Sequence, residues 1–265
     1  MFDFITIGSA TQDIFIESDR GKIIETRDIN TCEALLAFDY GAKIEIDKLA
    51  FDIGGGAVNA AVNFANLGFN TSSIIKIGYD LNAEAVLARL NEKNIDKSLV
   101  LRTKEFKTGF SIILTSFEGD RTVLAHRGAN SQIKISEIPW EVVKQSKWVY
   151  IAPLNGDSNL VLDEFANFAE EHGISMAFNP GSTQIKRGVE DLKRVISTAE
   201  VLVMNKSEAS GITGIRLSTD PKHSEWEKDM LEMLDNLKSY GPKVVVITNG
   251  KHGVNAFDGK TYYFA

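Results

Sequence analysis

The chain has 265 residues, 43% hydrophobic and 25% charged, a profile that fits a globular protein long enough for one large α/β domain. Its formal net charge of -7, from 29 Lys and Arg against 36 Asp and Glu, argues against nucleic acid or anionic membrane as a partner. The single cysteine, Cys32, excludes an internal disulfide. With no basic, apolar leader at Met1–Gly8 and no apolar run near the ~20 residues of a membrane span, the expected location is the cytoplasm.

In chain order, apolar runs of strand type are predicted at Phe4–Ile7, Ser73–Ile77, Trp148–Ala152, Ser175–Phe178, Val201–Met204 and Lys243–Ile247. Most are separated by segments with apolar residues at i, i+3, i+4 and i+7. These are Val58, Ala61, Val62 and Ala65, then Ala83, Val86, Leu87 and Leu90, then Leu162, Phe165, Ala166 and Ala169. Leu192, Val195, Ile196 and Ala199 repeat the pattern, as do Met230, Met233, Leu234 and Leu237. Strands alternating with amphipathic helices predict an α/β fold, a doubly wound, mainly parallel sheet covered on both faces. Two stretches break the alternation. Residues 13–53 and 108–128 read as extended lid strands inserted into a single domain spanning 1–265, the second turning as a hairpin at Glu118–Gly119–Asp120.

Parallel strands place their carboxyl ends along one edge, so residues that follow different strands can meet there. On that rule Asp13, Asp80, Asn155, Asn179, Asn205, Glu208 and Thr248 share a rim. Each taken alone reads first as a turn former or helix cap, and Asp80, ahead of "LNAEAVLARL", is expected to cap its helix. The stretch "FDIGGGAVNAAVNFANLG", Phe51 to Gly68, asks for more, because three glycines at a strand-to-helix junction let another group approach bare backbone. No P-loop is present. A dinucleotide fingerprint remains an alternative, with Gly54–Gly55–Gly56 before a helix and Asp80 beyond the next strand, although Asn59 stands where the third glycine belongs.

Seven short motifs, taken in order, carry a resemblance. They are Gly8-x4-Asp13, Gly54-Gly55-Gly56-x-x-Asn59, Gly78-x-Asp80, Thr108-Gly109, Gly128-Ala129-Asn130, Asn205-x-x-Glu208 and Thr248-x-Gly250-x-x-Gly253. With them the chain resembles, over essentially its whole length, the PfkB family of carbohydrate kinases and their ribokinase-like fold. The resemblance implies ATP-dependent transfer of the γ-phosphoryl group to a hydroxyl of a sugar or nucleoside. It implies that Asp13, Gly55, Gly56 and Asn59 hold that substrate, and that Asn205, Thr248, Gly250 and Gly253 face the nucleotide. Glu208 would organise Mg2+, usually through water, and a monovalent cation is a further cofactor in this reading. Exposed strand edges in the lid make a homodimer the expected assembly.

One departure is specific. The family's Asp-Thr-x-Gly-Ala-Gly-Asp motif, whose helix start forms an anion hole and whose last aspartate is the base, has no match before Ala265. The expectation is a chain truncated ahead of its catalytic segment, with the base unassigned. The alternative is a non-catalytic sugar- or nucleotide-binding protein of the same fold.

Overall fold

The computed structural model describes residues 1–28, 31–115, 121–216 and 224–265. β1 (Phe4–Ile7) opens the chain and is followed by β2 (Thr11–Glu17), β3 (Lys22–Asp28), β4 (Thr31–Ala37) and β5 (Lys48–Gly54). Next come α1 (Gly56–Asn66), β6 (Thr71–Ile74), β7 (Lys76–Ile77), α2 (Leu81–Glu92) and β8 (Leu101–Arg102). The strands β9 (Gly109–Thr115) and β10 (Arg121–His126) precede α3 (Trp140–Val143), β11 (Trp148–Ile151), α4 (Val161–His172) and β12 (Ser175–Phe178). The chain continues through α5 (Ser182–Ile185), α6 (Val189–Thr198), β13 (Val201–Asn205), α7 (Lys206–Thr213) and α8 (Ser224–Ser239). It ends in β14 (Val244–Thr248), β15 (Val254–Phe257) and β16 (Tyr262–Phe264).

The main sheet has eight strands in the order β16-β15-β14-β13-β12-β11-β1-β6. All pairs from β14 to β6 are parallel, while β15 and β16 add on antiparallel. The predicted parallel body is therefore present, and with it the shared carboxyl edge. A smaller sheet, β10-β9-β2-β5, stands beyond that edge and is built from the two stretches that broke the alternation. The hairpin turn expected at Glu118–Gly119–Asp120 lies outside the described residues.

Helices lie on both faces of the main sheet, unequally. The apolar stripes of α4, α6, α7 and α8 join Ile5, Ile7, Val149, Ile151, Met176, Leu202 and Val245 in one core cluster. Burying each such aliphatic side chain is worth roughly 1.5–3 kcal/mol. On the opposite face α1 covers the β1 end, where Phe64 stacks on Phe4 at 3.9 Å between ring centroids and meets Tyr150 edge-on. Farther along that face, Val201, Val203, Val244 and Val246 stay only partly buried, although their in-strand neighbours Leu202 and Val245 are 0% exposed.

One predicted strand is two. The run Ser73–Ile77 divides: residues through Ile74 pair with β1, whereas Lys76 and Ile77 leave the main sheet and pair in parallel with Leu101 and Arg102. Buried Lys76 marks the departure, since its ammonium donates to both carboxylate oxygens of Glu137 at 2.7 Å and to the Gln132 carbonyl. Burial would raise the Glu137 carboxyl, but the Lys76 contact and the hydrogen bond from the Lys134 N–H together outweigh it and hold the group below the usual range. Asp80 consequently follows β7, not a strand of the main sheet, and drops off the expected rim.

Candidate active site

The glycine triplet is explained by what surrounds it. β2 and β5 pair antiparallel with Thr11 opposite Gly54 and Asp13 opposite Asp52. A Cβ at Gly54 would overlap the Asp13 carboxylate, so this glycine makes the space in which Asp13 sits. Gly55 has φ +98°, and a Cβ there would run into the Ser9 carbonyl. Gly56 packs against Ala152, and its N–H donates to Ser9 Oγ at 3.0 Å.

The result is a cleft of about 410 Å³ between the main sheet's edge and the inner face of the smaller sheet, lined by Asp13, Gly55, Asn59 and Asn155 among others. Asp13 Oδ1 is buried there without a hydrogen-bond partner. A buried carboxylate oxygen left unpaired is costly in an isolated fold and is a ready acceptor for a hydroxyl. Asn59 lies in the first turns of α1; its N–H donates to the Gly55 carbonyl, and its side-chain amide makes no hydrogen bond among the described residues. Asn155 Oδ1 accepts from the Thr183 hydroxyl at 3.1 Å. Between the Asp13 row and the outer end of the cleft, Phe15, Ile113 and Val123 form an apolar shelf.

Asn130, matched only as part of a short motif, proves to be the clasp of this corner. It is 4% exposed, accepts from the Ala10 N–H at 3.0 Å and donates to the Ala10 carbonyl at 2.9 Å, fixing the backbone three residues before Asp13. Asp80 caps α2 by accepting from Ala83 N–H and also receives the Thr108 N–H. Burial alone would raise its carboxyl; these hydrogen bonds outweigh it and keep the group low. Thr108 Oγ1 in turn accepts from Gly78 N–H, so three of the motif residues form one structural knot.

At the far end of the edge, Asn205 and Thr248 are register partners at the ends of β13 and β14. Asn205 caps α7, its Oδ1 accepting from the Glu208 N–H at 2.9 Å while Glu208 Oε2 accepts from the Asn205 N–H at 2.8 Å, a reciprocal capping box. Burial raises the half-buried Glu208 carboxyl above its usual range, and the Asn205 hydrogen bonds only partly oppose it. The same charge, after burial, helps to raise the Tyr150 phenol. A carboxylate in that condition favours a nearby cation, and its second oxygen is the one available for it. Among the described residues no group of three or more His, Cys, Asp or Glu gathers as a metal cage. Gly250 and Gly253 flank a short 3-10 turn beyond Thr248. Between Thr248 and Gly250 stands Asn249, 2% exposed, with neither side-chain polar atom partnered. Nothing in its local sequence marks it. Asn179, by contrast, is tied to the Val203 carbonyl.

β13 lies three strand spacings from β1, so the Asn205–Glu208 end and the β1 end of the edge are about 14 Å apart. A sugar and a nucleotide triphosphate laid along the edge span that range. Among the described residues, no helix is long and apolar enough to cross a membrane.

The family model for pfkB family carbohydrate kinases matches residues 24–265. A ribokinase of Staphylococcus aureus (strain COL) is 26% identical over 216 residues, which cover 80% of this chain and 66% of that protein. A nucleoside kinase of Methanothermobacter thermautotrophicus is 26% identical over 200 residues, 76% of this chain and 59% of that one. For a bifunctional ribokinase/ribose-5-phosphate isomerase A of Fructilactobacillus sanfranciscensis the identity is 26% over 88% of this chain and 42% of the relative. The chain thus spans two thirds or less of the length of these curated relatives. Among solved structures, Arabidopsis thaliana ribokinase complexed with ribose and ATP aligns with a TM-score of 0.76 at 18% identity, over 100% of this chain and 77% of that one. That likeness shows a shared fold.

Proposed function

The chain belongs to the PfkB family of carbohydrate kinases, and from that premise we propose that it binds a sugar or nucleoside-type substrate in the Asp13 cleft and ATP along the Asn205–Thr248 end. The reaction would be transfer of the γ-phosphoryl group to a substrate hydroxyl, chemistry that rests on positioning and charge neutralisation. The observation that carries the reading is the unpartnered Oδ1 of Asp13, buried in a cleft that Gly55 lines and in which Gly54 leaves room for the carboxylate. In this reading Asp13 accepts from substrate hydroxyls, and Asn59 adds one donor and one acceptor beside them. Thr248, Gly250 and Gly253 offer a hydroxyl and open backbone to phosphates. Glu208 fits Mg2+ through the oxygen its capping box leaves over; when bound, the ion neutralises phosphate charge.

The proton acceptor is not assigned, because the 265 residues contain no Asp-Thr-x-Gly-Ala-Gly-Asp. We therefore propose that these residues bind both substrates but transfer phosphoryl slowly. The second reading is a sugar- or nucleotide-binding protein of the same fold without catalysis. Calorimetry with ribose, adenosine and ATP, run beside an ADP-release assay on the 265-residue chain, tests both. Binding with little turnover is expected, abolished for ribose and adenosine in Asp13→Ala; rapid turnover, or sugar affinity indifferent to Asp13, would overturn it.

A cytoplasmic location and a homodimer through the smaller sheet complete the proposal. Its outer face exposes Leu49, Phe51 and Leu124. Light scattering across a concentration series is expected to give twice the monomer mass, reduced to one in a Phe51→Glu variant.

A further inference from the structure

The cleft carries more positive charge than hydroxyl recognition needs. Arg121 and Arg127 line it, against a single carboxylate, Asp13, in a chain whose overall charge is -7. Five of the other arginines, Arg20, Arg89, Arg102, Arg187 and Arg194, each lie within 3.6 Å of a carboxylate. Arg121 and Arg127 make no ion pair and no side-chain hydrogen bond among the described residues. The smaller sheet explains their placement. Ala125 and Asp13 both pair with Ser111, so they share a row on the face turned to the cleft. Arg121 stands two rows outward along β10, beyond the Phe15, Ile113 and Val123 shelf, and Arg127 follows the inner end of the same strand. An arginine standing at each end of a row of hydroxyl-binding groups is matched by an anion, since guanidinium forks fit carboxylate and phosphate oxygens.

We infer that the acceptor is an anionic polyol, a sugar acid or a phosphorylated sugar, recognised at its charged group by the arginine at one end of the cleft, Arg121 or Arg127. This rests on the reading of the Asp13 cleft as the acceptor site and names the class of compound that it takes.

Two matched pairs of probes test it by calorimetry on the 265-residue chain at low salt: D-gluconate against D-glucitol, and D-ribose 5-phosphate against D-ribose. In at least one pair the anion is expected to bind about tenfold or more tightly than its neutral partner, the gain typical of hydrogen bonds to a charged group. Preference in the first pair identifies a carboxylate as the recognised group, and in the second a phosphate. The double variant Arg121→Gln, Arg127→Gln should lower the anion-to-neutral ratio to within about threefold, with a melting temperature showing that it remains folded. The two single variants then say which end holds the anion. Equal affinities within both pairs, or a preference that survives the double variant, would overturn the inference. Asp13→Ala separates this outcome from failure of the underlying site: it should weaken all four probes alike. If neutral sugars bind in an Asp13-dependent way without an anion preference, the acceptor site stands and the anionic class falls. If no probe binds, both fall.

Discussion

At the β1 end of the sheet's carboxyl edge, Asp13 keeps a buried oxygen with no partner, and the Asn59 amide is likewise uncommitted. At the β13 end, Asn205 and Glu208 satisfy one another as a capping box before any ligand arrives. The motif residues at the two ends look equivalent on paper, yet one set holds spare hydrogen-bonding capacity and the other is already part of a helix terminus. Spare capacity inside a fold is destabilising by itself and becomes useful only when a ligand fills it. A group committed to a cap stabilises the helix first and can serve a ligand only with the atoms left over.

The comparison makes predictions of graded size. The largest concerns the clasp that supports the uncommitted end: Asn130→Ala strands the Ala10 N–H and carbonyl in a buried corner and should cost about 2–3 kcal/mol in urea unfolding. A loss under 0.5 kcal/mol would mean that the corner does not depend on it. Next, alanine at the two ends should have opposite signs. Asn205→Ala removes a helix cap and should destabilise by about 1 kcal/mol. Asp13→Ala removes an unpartnered buried oxygen and should stabilise by up to about 1 kcal/mol while sugar affinity disappears. If both destabilise equally, the contrast between the ends is broken.

The smallest effect is a pH dependence. Because burial raises the Glu208 carboxyl in the folded state, its contribution to stability is present below the unfolded value of ~4.3 and is lost as pH rises through the raised folded value. Glu208→Gln keeps a capping oxygen without the buried charge, so it should melt slightly above the parent at neutral pH, with the gap closing toward acid. A gap that widens as pH falls would contradict the assignment. The same variant should remove any Mg2+-dependent part of ATP binding.

Much of the body was legible because its periodicities are strong: the strand runs at Phe4–Ile7 and Ser175–Phe178 are found with the predicted ends. The break within Ser73–Ile77 was not, since an unbroken apolar run gives no sign that Lys76 will be drawn aside by Glu137, 61 residues away. Short α7 was hidden for a different reason. Asn205-x-x-Glu208 reads as a ligand motif or as a capping box, and only the backbone geometry shows the box. The place of Gly54 depends on the register of β2 against β5, a long-range fact that no local pattern carries. Asn130 and Asn249 were missed as individuals because their importance lies wholly in burial.

The uneven cladding of the main sheet bears on how the molecule behaves in the hand. A strip of valines on β13 and β14 that is neither fully dry nor fully wet is a sticky plane, the kind of surface that fluorogenic dyes seek out and that hydrophobic resins retain. Handling at high ionic strength would strengthen that stickiness, because salting-out ions favour the hiding of such surfaces, so dilute, low-salt buffers are the natural setting for every titration described above.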